Sequence, residues 1–84
     1  MERRFDKLSG TMIKLYKFKT NFPHCMKQTE LFGNNKSEYD KHFRGWTDWC
    51  ISYCGNANVK TNGNNYTISF KYGNERFKAE WIEY

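Results

Sequence analysis

The sequence is poor in several features that would assign a protein to a class. Its 84 residues include one proline, two alanines and three cysteines, and they contain no long apolar run. A transmembrane helix needs about 20 consecutive apolar residues, so the sequence predicts none and we expect no membrane partner. The charged stretch after Met1 does not have the form of a secretory leader. Together with the odd number of cysteines, this predicts a reduced, cytoplasmic protein.

The local motifs of common catalytic sites are also missing from the sequence. It contains no glycine-rich phosphate loop and no nucleophile elbow. Neither His24 nor His42 has an identifiable neighbour in the sequence that would orient its ring for proton transfer. We therefore expect a protein that is not an enzyme and that uses no cofactor.

Cysteine and histidine residues raise the question of a zinc site. Cys50 and Cys54 are four residues apart, and His24 and Cys25 are adjacent. Neither pair has the Cys-x-x-Cys spacing typical of structural zinc sites, and cysteines on an apolar stripe commonly pack as small hydrophobic residues. We expect no metal site, and zinc bound by Cys25, Cys50, Cys54 and His24 stays open as the alternative.

Aromatic residues, by contrast, are abundant and make up 19% of the chain. Each one buries a large area through few rotatable bonds, so a small chain can still build a dense core. No repeat, low-complexity tract or linker interrupts the sequence. The sequence therefore predicts a single domain over residues 1–84.

Two tight turns predict a three-stranded antiparallel meander near the C-terminus. Apolar and polar residues alternate on both sides of Gly73-Asn74, and this pair predicts a two-residue hairpin in which Tyr66 faces Trp81. Asn62-Gly63 predicts a second hairpin, which would set Val59 opposite Tyr66. The predicted strands cover about residues 57–61, 64–72 and 75–82. Both turns place the same apolar residues on one face, which supports this register.

A main helix is predicted over about residues 38–54. Ser37 is the expected N-cap, and Gly55 suits the left-handed position after the last turn. Residues at helical spacing form one apolar stripe, namely Tyr39, Phe43, Trp46, Cys50, Tyr53 and Cys54. The stripe is expected to cover the apolar face of the meander, with Gly45 on the opposite side of the helix.

The first half of the chain has a less regular pattern. Pro23 near the start of an apolar-periodic run and Gly33 at its end predict a short helix over about residues 23–32. Residues 11–19 fit a helix or a strand, and their aromatic and β-branched content favours a strand. The sequence thus predicts an α+β fold with the element order β-α-α-β-β-β.

Basic residues are concentrated in two parts of the sequence. The net charge is +5, and the first 19 residues hold six basic and two acidic residues. The polar face of the predicted meander carries Lys60, Lys71, Arg76 and Lys78, with Glu80 as its acid. If residues 11–19 flank this sheet, some of Lys14, Lys17 and Lys19 widen the basic area. A solvated sheet face is the simpler interpretation, and a surface that binds phosphates or an acidic protein is the functional one.

These patterns favour a small binding protein that inhibits or redirects a host macromolecule by occupying an acidic surface, most simply that of a host protein. Usage rich in Asn, Lys, Tyr and Phe suggests a phage or mobile-element gene. Nucleic-acid binding through the basic sheet face is the alternative, and self-association through a sheet edge is a third possibility. The predicted contacts are Lys14, Lys17, Lys19, Arg44, Trp49, Lys60, Lys71, Arg76 and Lys78.

Overall fold

The computed structural model describes residues 14–84, and five strands and one helix make up this part of the chain. The strands are β1 (Tyr16–Thr20), β2 (Thr29–Gly33), β3 (Asn58–Asn62), β4 (Asn65–Tyr72) and β5 (Glu75–Glu83). They form one antiparallel sheet in the spatial order β2-β1-β5-β4-β3. The helix α1 (Lys36–Trp49) lies on one face of the sheet and continues into a π-helical turn, Cys50–Cys54. The predicted α+β class is confirmed.

The hairpin between β4 and β5 has the predicted register. Tyr66 pairs with Trp81, and Phe70 pairs with Phe77. Gly73 opens the two-residue loop with a φ of 66°, a backbone conformation that residues with a Cβ rarely adopt. The turn and the alternation on each side of it act within one short stretch of chain, so this part of the fold follows from local sequence.

The hairpin between β3 and β4 is displaced from the predicted one. Its loop is Gly63-Asn64 rather than Asn62-Gly63, so Val59 pairs with Ile68 and not with Tyr66. Gly63 has a φ of 62° and takes the first loop position, as Gly73 does in the other hairpin. Because the register moves by two residues, every side chain keeps its predicted face of the sheet.

The short helix predicted over residues 23–32 is wrong. Residues 23–28 form turns and bends, and Thr29–Gly33 is the strand β2, which pairs with β1. This pairing supplies hydrogen-bond partners to an edge of β1 that would otherwise stay open. It also carries Phe32 against α1, where its ring centroid lies 5.2 Å from that of His42. The predicted N-terminal strand is confirmed from Tyr16 onward, and residues 11–13 lie outside the described part.

Single residues define the start of α1 and the end of the π-helical turn that follows it. The side chain of Asn35, not the predicted Ser37, caps the first turn by accepting a hydrogen bond from the backbone N–H of Glu38 over 3.1 Å. The predicted Gly55 ends the helical segment with a φ of 74°. The wider π turn rotates the residues after Trp49, so the predicted stripe residue Tyr53 is 75% exposed.

The core fills the space between α1 and the inner face of the sheet, and aromatic rings dominate it. Its fully buried or nearly buried members are Tyr16, Phe18, Phe22, Tyr39, Cys50, Ile68, Phe70, Ala79 and Trp81. Phe18 on β1 lies at the centre, with its ring 4.9 Å from Trp81 and 5.2 Å from Trp46. Within residues 14–84 no helix is long and apolar enough to cross a membrane. Within the described residues, α1 packs on one face of the sheet and no element packs on the other.

Candidate functional site

The sheet face opposite α1, called the outer face below, is the broadest polar surface of the fold. Alternation along each strand places one set of side chains there. By strand register this set consists of Lys17, Lys19, Thr29, Leu31, Asn58, Lys60, Asn62, Asn65, Thr67, Ser69, Lys71, Arg76, Lys78, Glu80 and Ile82. No element within residues 14–84 packs over this face.

Positive charge is concentrated on the outer face. It holds six basic residues and one acidic residue, whereas the other residues from 14 to 84 include five bases and six acids. The acid, Glu80, lies between two of the bases, with its carboxylate 3.5 Å from Nζ of Lys19 and 3.3 Å from Nζ of Lys78. The net positive charge of the described residues therefore lies on this one face.

Two of these bases oppose each other directly across neighbouring strands. Lys71 on β4 pairs with Arg76 on β5, next to the Gly73-Asn74 loop. Like charges at directly opposite sheet positions destabilise the pair, because their side chains are held a few ångströms apart. A bound anionic group would relieve this repulsion, so the hairpin tip is the part of the outer face best suited to contact an acidic ligand.

The predicted contact residues divide into two groups in the structure. Lys17, Lys19, Lys60, Lys71, Arg76 and Lys78 share the outer face. The other three lie elsewhere. Lys14 forms an ion pair with Glu83 over 3.6 Å on the other side of the sheet, and Arg44 is exposed on α1. Trp49 is half-buried on α1 against the rings of Phe22 and Tyr72. These three residues cannot act with the outer face in one flat contact.

The outer face also has an apolar corner that the sequence analysis missed. Leu31 on β2 pairs with Lys17 on β1, which in turn pairs with Ile82 on β5. Leu31 is 73% exposed. It could not be assigned to the sheet from the sequence because residues 23–32 were expected to form a helix. Across the three strands, Leu31 and Ile82 therefore place apolar carbon on either side of the basic Lys17.

A second feature lies on the helix side of the sheet, between α1 and residues 21–28. It is a cleft of about 390 Å³, lined by Phe22, His24, Cys25, His42, Gly45, Trp46 and Trp49. The α1 residues at positions 42, 45, 46 and 49 have the spacing of one helical stripe, and this spacing is the sequence signal that could have identified the cleft. Gly45 thus lines the cleft, whereas we expected it on the solvent side of α1.

His42 is held in one protonation state at the inner end of this cleft. The indole N–H of Trp81 donates a hydrogen bond to Nδ1 of His42 over 3.0 Å. A nitrogen that accepts a hydrogen bond carries no proton, so the imidazole is neutral and Nε2 holds its proton. Burial lowers the pKa of His42, and the nearby charge of Glu30 opposes this change.

The cysteines are held as thiols. Burial raises the pKa of Cys50 to about 12 and also raises the pKa of Cys25 and of Cys54. The Cys25 thiol donates to backbone carbonyls, with Sγ 3.2 Å from the oxygen of Phe22. Since the thiolate is the form that attacks electrophiles, burial makes all three cysteines weaker nucleophiles than a free cysteine. Among residues 14–84 no three potential metal ligands come together as a site.

Hydrogen bonds join α1 to the sheet at the far end from the cleft. Asp40 accepts from the hydroxyl of Tyr66 and from Nζ of Lys36, both over 2.7 Å. Burial alone would raise the pKa of Asp40, but the hydrogen bonds from Lys36 and Tyr66 outweigh it and the pKa is lowered. One of these bonds, from Tyr66, joins the helix to the sheet and the other, from Lys36, lies within α1, so we assign this carboxylate a structural role.

Comparison of the chain with known protein families, with curated proteins and with solved structures gave no match.

Proposed function

We propose that this protein is a non-enzymatic binding protein whose outer face docks on an acidic surface of a partner protein and blocks or redirects that partner. The observation that carries the proposal is the concentration of positive charge on one sheet face, which no element within residues 14–84 covers. Complementary charge accelerates association and selects between partners, even where it adds modest affinity. Residue usage is the basis for placing the protein in a phage or mobile element and its partner in the host.

The hairpin tip supports this proposal. Lys71 and Arg76 are cross-strand neighbours of the same charge, and within the described residues neither forms an ion pair. Two carboxylates of a partner could each approach one of these bases. Because the repulsion within the free protein is relieved on binding, the pair gains more from an acidic partner than two separated bases would.

The apolar corner favours a protein over a nucleic acid as the partner. Protein interfaces commonly combine an apolar centre with a polar rim, and the exposed Leu31 and the half-buried Ile82 supply apolar carbon beside Lys17. No aromatic side chain from residues 14–84 belongs to the outer face. A single-stranded nucleic acid would therefore find no ring on which its bases could stack.

Double-stranded nucleic acid is the second candidate, and one observation favours it. The hydroxyl-bearing residues Thr67 and Ser69 each have one basic cross-strand neighbour on the outer face, since Thr67 pairs with Lys60 and Ser69 pairs with Lys78. Hydroxyl and basic side chains are common phosphate ligands, and β-sheet surfaces can enter a groove of the duplex. This arrangement would position phosphates without reading a base sequence.

The test compares two triple variants with the same change in net charge. One replaces Lys71, Arg76 and Lys78 by Glu on the outer face, and the other replaces Lys27, Lys41 and Arg44 by Glu on exposed sites elsewhere. Each is used to capture partners from host extract after its fold is verified by circular dichroism and urea unfolding. We expect the outer-face variant to lose the captured protein by about tenfold or more and the control to retain it. Equal retention by both variants would overturn the proposal.

A salt titration separates the two candidate partners. Binding to duplex DNA or RNA should weaken linearly on logarithmic axes as salt rises, with a slope of roughly one per phosphate neutralised. A protein interface with an apolar corner should depend less steeply on salt. Capture of nucleic acid alone, with this steep slope and its loss in the outer-face variant, would replace the first candidate by the second.

A further inference from the structure

The cleft between α1 and residues 21–28 is separate from the outer face. The sheet lies between them, so a partner on the outer face does not reach it. Its volume of about 390 Å³ falls in the range of small-molecule sites, roughly 300 to 1,000 Å³. The proposed function therefore assigns no role to the cleft.

Aromatic rings form the walls of the cleft. The ring centroid of Phe22 lies 6.3 Å from that of Trp46 and 5.5 Å from that of Trp49, and the two indoles are 6.0 Å apart. Rings at such distances pack on one another, and Phe22 is 2% exposed, so the surfaces that the cleft offers a ligand are those of the two half-buried indoles. The wall geometry thus selects a planar aromatic group over a branched aliphatic one.

Gly45 keeps the cleft open on the helix side. A Cβ built at this position would meet no atom within 4 Å, so no packing constraint requires glycine there. Its φ is not in the left-handed region, so the backbone does not require glycine either. Glycine weakens a helix interior, and the open space in front of it is the cleft itself. The missing side chain lets a ligand in the cleft approach the helix backbone closely.

The polar groups of the cleft define the ligand further. Among residues 14–84, the lining of the cleft contains no lysine, arginine or carboxylate side chain, so an uncharged ligand would lose less hydration there than a charged one. His42 accepts from Trp81 through Nδ1, and its protonated Nε2 is therefore a donor. A ring nitrogen or carbonyl oxygen on the ligand would complement that donor.

From these observations we propose that the cleft binds a neutral, planar heteroaromatic molecule of the size of a nucleobase or an indole. The ring lies against the indoles of Trp46 and Trp49 and over the backbone at Gly45. The Nε2–H of His42 donates to an acceptor on the ring. The site is a ligand pocket in its own right and does not require the proposed function.

The test uses adenine, cytosine, indole and nicotinamide as probes of the full chain. Each is titrated to about 10 mM, a concentration that nearly fills a site with a Kd of about 1 mM. The readout is the indole N–H signal of each tryptophan in ¹H–¹⁵N spectra. At least one probe should shift the Trp46 and Trp49 signals saturably, with a Kd of about 1 mM or below.

Two substitutions at one position control the experiment. Gly45→Leu should fill the open space and raise the Kd of the bound probe by about tenfold or more, whereas Gly45→Ala should change it by less than about threefold. Leucine and alanine both favour a helix more than glycine does, so both variants are expected to fold. The triple outer-face variant should bind the probe as the wild type does, which separates this site from the proposed function. Absence of a saturable shift with all four probes, or shifts that persist in Gly45→Leu, would overturn the proposal.

Discussion

The indole N–H of Trp81 donates a hydrogen bond to Nδ1 of His42 over 3.0 Å, and this contact joins the centre of the sheet to the helix. Trp81 is fully buried on β5, and His42 is half-buried on α1. Protonation of His42 at Nδ1 would place two donors against each other. The contact therefore makes the stability of the fold depend on pH.

Acidification should destabilise the protein through His42. Its pKa in the folded state is below the ordinary value of 6.5, so the unfolded chain binds the proton more readily. The free energy of unfolding is highest above pH 6.5 and should decrease as the pH falls from there towards the folded pKa. Urea unfolding between about pH 8 and pH 5 measures this slope. His42→Asn retains an acceptor and does not titrate, so an equally steep slope in that variant would contradict the assignment.

Replacement of glycine by alanine should change the free energy of unfolding in opposite directions at Gly45 and Gly73. Gly45→Ala should stabilise the protein by about 0.5 to 1 kcal/mol, because alanine favours the helix interior. Gly73→Ala should destabilise it by about 1 kcal/mol or more, because a φ of 66° is unfavourable for a residue with a Cβ. At neither position would a Cβ meet an atom within 4 Å, so the backbone angle alone separates the two. Urea unfolding followed by tryptophan fluorescence measures both, and the same sign at both positions would refute this account.

The two candidate caps of α1 can be distinguished by alanine substitution. Asn35→Ala should reduce the free energy of unfolding by about 1 kcal/mol, since it removes the acceptor for the N–H of Glu38. Ser37→Ala, inside the first turn and exposed, should change it by less than about 0.5 kcal/mol. Thermal unfolding of the two variants at the same pH provides the comparison. A larger loss for Ser37→Ala would mean that the helix begins later, as the sequence had suggested.

Val59 and Ile68, which are cross-strand neighbours in the β3–β4 hairpin, should contribute very unequally to stability. Ile68 is fully buried beneath α1, whereas its partner Val59 on the edge strand β3 is 39% exposed. Ile68→Ala should cost about 2 to 5 kcal/mol through lost burial and the cavity that it leaves. Val59→Ala should cost about 1 kcal/mol or less, because much of its side chain already contacts water. Chemical unfolding of both variants tests this, and similar losses would show that α1 covers β3 as well.

The grouping of the predicted contact residues on one face was confirmed in part, while their role in binding stays a prediction. Lys60, Lys71, Arg76 and Lys78 could be assigned to one face from the sequence because side chains in a strand alternate with a period of two. Leu31 could not, because its place on that face depends on pairing between β2 and β1. The cleft was missed for a similar reason. His24 and Cys25 come from a loop whose path only the packed fold defines, although the helical spacing of His42, Gly45 and Trp46 was visible.

By itself the sequence determined the β4–β5 hairpin, the extent of the main helix and the separation of apolar from basic side chains. These features depend on backbone preferences and side-chain periodicity within a few neighbouring residues, as Gly73 and the alternation around it illustrate. The tertiary structure alone decided that Thr29–Gly33 is a strand and that Trp81 donates to His42. A short segment such as Thr29–Gly33 has similar local preferences for helix and strand. Pairing with β1 decides in favour of the strand, because it gives the backbone groups at the edge of β1 hydrogen-bond partners that a helix over these residues would not provide.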